Sequence, residues 1–216
     1  MTMEEVRTRI EEIGVIPAIR TASAEEALFA AQAVFRGGIN VVELTMTIPG
    51  AFDVIRELRR TTPNLMVGAG TVLYLDTARH CLDAGAAFLT SPSFDPEIVE
   101  FGASQNALVI PGALTPTEVA AASRAGAGLI KIFPCAPLGG PSYIRALKAP
   151  FAHLALIASG GVNQQTASDF IRAGAVALGI GENLIPPEAV RGKKEKWIRE
   201  LCTRFLGVIR EARALL

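Results

Sequence analysis

Short apolar runs alternate with longer segments of helical period along almost the whole chain. The runs cover residues 15–19, 39–44, 65–67, 87–89, 107–110, 129–133, 154–158 and 175–180. Between them lie segments such as 24–35, 51–60, 76–84 and 117–125, whose apolar residues recur at three- and four-residue intervals. Strand then helix, eight times over in 216 residues, predicts the α/β class with a parallel sheet and crossover helices. That many units in so short a chain fit a closed (β/α)8 TIM barrel better than an open doubly wound sheet.

An internal repeat supports closure. The second, fourth, sixth and eighth runs each follow a helix-stop: Arg36-Gly37-Gly38, Asp83-Ala84-Gly85, Arg124-Ala125-Gly126 and Arg172-Ala173-Gly174. A glycine there supplies a left-handed cap, and the strand begins at once. Ser23 with Glu26 three residues on reads as a capping box. Pro116 and Pro141 stand where first helical turns are expected. Residues 2–13 predict a short extra helix across the bottom of the barrel. Residues 191–196 form a basic, solvated lead into a C-terminal amphipathic helix presenting Trp197, Ile198, Leu201, Phe205 and Ile209.

Composition narrows the function classes. Half the residues are hydrophobic, enough for a large core in a single domain, 1–216. Lys plus Arg and Asp plus Glu balance at 21 each, so no global field favours nucleic acid or a membrane surface. The longest uncharged stretch, 149–168, is broken by Pro150, Gly160 and Gly161 and does not read as a membrane span. The N-terminus has no apolar signal segment, and Cys81, Cys135 and Cys202 are odd in number and widely spaced. Reduced thiols in a cytoplasmic protein are expected. His80 and His153 lie far apart, with no carboxylate at ligand spacing, so no metal is expected.

In such a barrel the reactive groups sit at the C-terminal strand ends. Lys131 interrupts an apolar run, and alternation puts it on the face opposite Ile130 and Ile132, towards the barrel interior. Burial there favours the neutral amine, which can attack a carbonyl. Glu43 shares a face with Val41 and Thr45 in the second run, which stands opposite the sixth in an eight-membered ring. The two would meet across the barrel mouth as nucleophile and proton shuttle. A purely structural ion pair is the alternative. Arg20 ends the first run and suits a substrate carboxylate or phosphate. Thr71 follows Gly68-Ala69-Gly70 with a hydroxyl. Ser159-Gly160-Gly161 and Gly179-Ile180-Gly181 end the seventh and eighth runs, where barrels often bind phosphate through backbone N–H groups.

With these residues in place the chain resembles the class I KDPG/KHG aldolases, over nearly its whole length. The resemblance is carried by Pro17-Ala18-Ile19-Arg20, Glu43-Leu44-Thr45, Val67-Gly68-Ala69-Gly70-Thr71-Val72, Ser91-Pro92, Pro111-Gly112, Leu129-Ile130-Lys131-Ile132-Phe133-Pro134, Ser159-Gly160-Gly161-Val162 and Gly179-Ile180-Gly181. It implies a lyase cleaving 2-keto-3-deoxy-6-phosphogluconate, or a related 4-hydroxy-2-oxoacid, to pyruvate and an aldehyde. Lys131 then matches the Schiff-base lysine and Glu43 the acid/base. Thr71 matches a contact to the pyruvate carboxylate. Pro92 and Phe133 match pocket walls, and Gly160 and Gly161 the loop near the distal phosphate. The resemblance also implies a homotrimer without metal or other cofactor.

Two positions depart from the family pattern. The arginine found in many members four residues after the glutamate is Thr47 here, so Arg20 is expected to hold the carboxylate instead. The serine that usually follows the Gly-x-Gly of the last strand is Glu182. If a short helix begins there, its carboxylate would occupy the favourable dipole position and repel phosphate, weakening any preference for a phosphorylated tail towards an unphosphorylated 2-keto-3-deoxy sugar acid or 4-hydroxy-2-oxoacid; turned outwards, it would leave backbone amides to bind phosphate. The competing readings are a phosphosugar isomerase or epimerase and a non-catalytic metabolite-binding barrel.

Overall fold

A computed structural model describes all residues, 1–216. In chain order the elements are α1 (Met3–Ile13), β1 (Val15–Ile19), α2 (Ala24–Arg36), β2 (Val41–Thr45), α3 (Ala51–Thr61), β3 (Met66–Gly70), α4 (Leu75–Ala84), β4 (Phe88–Thr90) and α5 (Pro96–Ser104). They continue with β5 (Leu108–Ile110), β6 (Gly112–Ala113), α6 (Pro116–Arg124), β7 (Ile130–Ile132), a 3-10 turn (Ala136–Leu138), α7 (Pro141–Lys148), β8 (Leu156–Ser159), α8 (Ala167–Arg172), β9 (Ala175–Ile180), α9 (Pro187–Arg191) and α10 (Glu195–Arg213). The strands are parallel and hydrogen-bonded in the order β5-β4-β3-β2-β1-β9-β8-β7-β6. This is the expected α/β barrel with an N-terminal helix.

The fifth run differs from expectation by splitting in two. Pro111 has no N–H to donate, and it separates β5, which pairs with β4, from β6, which pairs with β7. The chain itself joins the two ends of the sheet. The Pro111 carbonyl still accepts from Lys131 N at 2.9 Å, and Gly112 N donates to Ser93 O at 3.2 Å.

The glycines of β3 are set by what fills the barrel. Glu43 pairs with Gly68 and Thr45 with Gly70 in register. An ideal Cβ on Gly68 would fall 2.2 Å from Phe88 Cζ, and one on Gly70 2.1 Å from Glu43 Oε1. The inner face of β3 is therefore given over to its neighbours' side chains. The strand runs on through Gly70, beyond the apolar run that marked it. Phe88, fully buried, floors the site from below.

All four helix-stop glycines take left-handed φ: Gly38 at 92°, Gly85 at 97°, Gly126 at 89° and Gly174 at 104°. Ser23 does cap α2, accepting from Glu26 N at 3.2 Å, but Glu26 accepts from Ala22 N rather than from Ser23 N, so the box is not reciprocal. Reciprocal boxes form at Thr2 with Glu5 and at Thr115 with Glu118. Along α10, Ile198, Leu201, Phe205 and Ile209 are buried, whereas Trp197 is exposed, with Lys194 Nζ 5.5 Å from its ring centre. At the N-terminal end of the strands, Arg213 of α10 donates to the carbonyls of Glu11 and Glu12, which end α1, and to Val176 of β9. No helix is long and apolar enough to cross a membrane.

Candidate active site

β7 is a three-residue strand whose flanking isoleucines are buried and whose middle residue points inward. The Lys131 side chain keeps 13% of its surface exposed, and Glu43 opposite it 5%. Lys131 Nζ stands 3.6 Å from Glu43 Oε2. That is close enough for strong attraction in a low-dielectric setting, yet beyond hydrogen-bond length. The amine is thus held beside a carboxylate without being locked to it, and its far side lies 5.7 Å from the Phe133 ring centre.

The pair opens into a cavity of about 390 Å³ at the C-terminal ends of the strands. Every predicted site residue lines it: Arg20, Glu43, Thr71, Pro92, Lys131, Phe133, Ser159, Gly160, Gly161, Gly181 and Glu182. His80 and His153 are exposed on other surfaces. Two depressions of about 570 Å³ each touch α1 residues and gather no lysine–carboxylate pair. The cysteines supply no competing nucleophile. Burial pushes the Cys81 and Cys202 thiols up to about 12 and Cys135 up to about 11.

The rim is polar and only partly tied down. Arg20 is exposed and makes no ion pair or side-chain hydrogen bond, so its guanidinium is free to meet an anion. Thr71 holds φ at 59°, a costly backbone for a β-branched residue, and lines the cavity. Gly160 and Gly161, at φ 83° and 91°, bring the loop after β8 against Pro134 and Ala136. The N–H groups of Gly160, Gly161 and Val162 have no protein acceptor, and neither do those of Gly181, Glu182 and Asn183. Two loops that line the same cavity therefore hold backbone donors without a protein acceptor.

Glu182 corrects one expectation. The chain from Gly181 makes a single turn, with Leu184 N and Ile185 N both donating to Gly181 O, and α9 starts only at Pro187. Glu182 is exposed, bears no ion pair and occupies no helix N-terminus. Proline at 186 and 187 places the helix start later than the Gly-x-Gly spacing suggests.

Sequence reasoning missed Thr45 and Asn183 as lining groups. Thr45 Oγ1 donates to Ile19 O at 3.1 Å and pairs with Thr47 Oγ1 at 2.8 Å, a hydroxyl chain beside Arg20 where an arginine was not found. Asn183 Nδ2 donates to Val162 O at 2.9 Å and ties the loop after β9 to the loop after β8. Thr45 ends β2 on the face it shares with Glu43, a placement the alternation already gave, whereas Asn183, three residues after β9, carries no sequence signal beyond its place in that loop.

Comparison with known proteins bears on this arrangement. The family model "KDPG and KHG aldolase" matches residues 6–201. The 2-dehydro-3-deoxy-phosphogluconate aldolase of Treponema pallidum is 28% identical over 200 residues, spanning 93% of this chain and 95% of that protein. A Rhizobium meliloti protein described as a probable 2-dehydro-3-deoxy-6-phosphogalactonate aldolase is 32% identical over 175 residues, 80% of this chain and 82% of that protein. The KDPG aldolase of Legionella pneumophila, solved with pyruvate captured at low pH as a covalent carbinolamine intermediate, superimposes with a TM-score of 0.85. It is 30% identical, over 90% of this chain and 95% of that one.

Proposed function

This chain belongs to the KDPG and KHG aldolase family, and from that premise we propose that it cleaves a 2-keto-3-deoxy sugar acid to pyruvate and an aldehyde through a Schiff base on Lys131. The observation that carries this reading is the inward-facing Lys131 amine 3.6 Å from the Glu43 carboxylate at the floor of the strand-end cavity. The amine attacks the C2 carbonyl, and loss of water leaves a protonated imine. Glu43 takes the C4 hydroxyl proton as the C3–C4 bond breaks. The bonding pair flows into the imine as an enamine, and the aldehyde leaves. Glu43 then returns a proton to C3, and water hydrolyses the imine to free pyruvate.

Arg20 and Thr71 are read as the holders of the substrate carboxylate, with Pro92 and Phe133 as walls around the three-carbon head. The tail then points to the loops after β8 and β9. Their six unspent N–H donors favour a phosphoryl group, and the Glu182 carboxylate opposes it. With no helix start at Glu182, the dipole half of the expected penalty is gone. A phosphorylated tail is therefore the better-supported substrate. Pyruvate release, followed for the phosphorylated and unphosphorylated acids, tests this. The phosphorylated acid is expected to have the higher kcat/KM, and Glu182→Ser to raise that preference by roughly 3- to 10-fold, the scale of one partly screened like charge. A wild type that favours the unphosphorylated acid, with Glu182→Ser unchanged, contradicts the assignment of the tail.

A further inference from the structure

One side-chain oxygen in the protein is buried without any hydrogen-bond partner among the protein's atoms: Thr90 Oγ1. Thr90 ends β4, two residues after Phe88, and is 1% exposed. Its direction follows from its neighbours. An inward Cβ on Gly70 would collide with Glu43, and one on Gly68, two residues earlier on the same face, with the Phe88 ring. Phe88 is therefore inside the barrel, and so is Thr90, one step nearer the cavity. Ala69 pairs with Leu89, which sets Thr90 beside Gly70. Across the inner face of Gly70 lies the Glu43 carboxylate.

Glu43 lines the floor of the cavity and also lacks a protein donor. It is buried to 4% exposure, yet no donor within hydrogen-bond length reaches it, Lys131 standing at 3.6 Å. Thr90 stands one strand spacing (~4.8 Å) from Gly70, over which the Glu43 carboxylate lies, so a single water making two bonds of roughly 2.8 Å can join the orphaned hydroxyl to a carboxylate that has no protein donor.

We propose that Thr90 is a positioning residue for Glu43, holding against its carboxylate a water that orients it and relays its proton. This rests on the Schiff-base reading for the proton's role, though not for the bridge itself. The charged groups sharing the cavity with Glu43 are Lys131 from β7, Arg20 after β1 and Glu182 after β9. Ser159 of β8 also lines the cavity, and Gly70, Thr90 and Gly112 stand on β3, β4 and β6 beneath it; none of the four titrates.

Thr90→Val keeps the shape and loses the hydroxyl, whereas Thr90→Ser keeps the hydroxyl. The readout is the exchange of pyruvate C3 hydrogens with D2O, followed by NMR across pH, which needs only Lys131 and Glu43. Thr90→Val is expected still to form the borohydride-trapped adduct on Lys131. Its exchange should slow roughly 10-fold or more, with the acid limb of the profile displaced to higher pH, because a carboxylate stripped of a donor holds its proton longer. Thr90→Ser should stay within about 3-fold of wild type. Wild-type exchange with an unmoved profile in Thr90→Val overturns the proposal, as does a Thr90→Ser as slow as Thr90→Val. If wild type neither traps nor exchanges, the Schiff-base reading fails, and the bridge is judged by itself. Titration of the ¹³C-labelled Glu43 carboxyl should then have a higher midpoint in Thr90→Val, and coincident curves overturn it.

Discussion

A lysine in the middle of an otherwise apolar strand is costly unless something uses its charge, and so Lys131 was legible from the sequence. Alternation placed it inside the barrel, and opposition of the second and sixth runs placed Glu43 across from it; both hold in the structure. Thr90 was not legible. A β-branched residue at the end of Phe88-Leu89-Thr90 reads as ordinary strand filler, and its orphaned hydroxyl appears only once the neighbours are in place. Arg20 stands between these cases: its position was readable, but its lack of any partner was not. If it holds the substrate carboxylate, Arg20→Ala should weaken pyruvate binding by roughly 10- to 100-fold, the scale of a lost charge-assisted contact. Pyruvate titration checks this, and an unchanged affinity removes Arg20 from the role.

At the level of elements, the strand–helix alternation and the helix-stop glycines were readable because both are local. Periodicity separates strand from helix, and a left-handed φ calls for glycine wherever it falls. The break at Pro111, the late start of α9 and the outward turn of Trp197 were not readable, since each depends on which neighbour a segment meets. The loop after β8 shows how tightly such meetings constrain a residue. A Cβ on Gly161 would fall 2.2 Å from that of Ala136, at a φ of 91° that L residues rarely adopt. Gly161→Ala should therefore cost about 1–2 kcal/mol in denaturant unfolding. It should also lower kcat/KM through the tail loop while leaving adduct formation at Lys131 intact. A variant as stable and as active as wild type would show that the loop yields freely.

The whole molecule is a ring whose seam lies at Pro111 and whose two ends of chain meet under the barrel. The Arg213 guanidinium joins three carbonyls there, from α1 and β9, and burial holds it below the usual arginine range. Nothing in the sequence distinguishes Arg213 from its exposed neighbours on α10. Arg213→Met should lose about 1–2 kcal/mol of stability by denaturant titration, since three carbonyls, two of them part-buried, lose their charged donor. The rate of adduct formation should not change, because the clamp lies at the opposite end of the strands from Lys131. A fall in that rate in the folded variant would mean that the two ends of the barrel are coupled.

The most direct measurement is to incubate the protein with pyruvate, reduce with borohydride and map the product by mass spectrometry. The account predicts a stable adduct on Lys131 that disappears in Lys131→Met, with circular dichroism confirming that the variant folds despite the unpaired Glu43. A folded wild-type protein that gives no adduct, under conditions where a proven Schiff-base enzyme does, would contradict it.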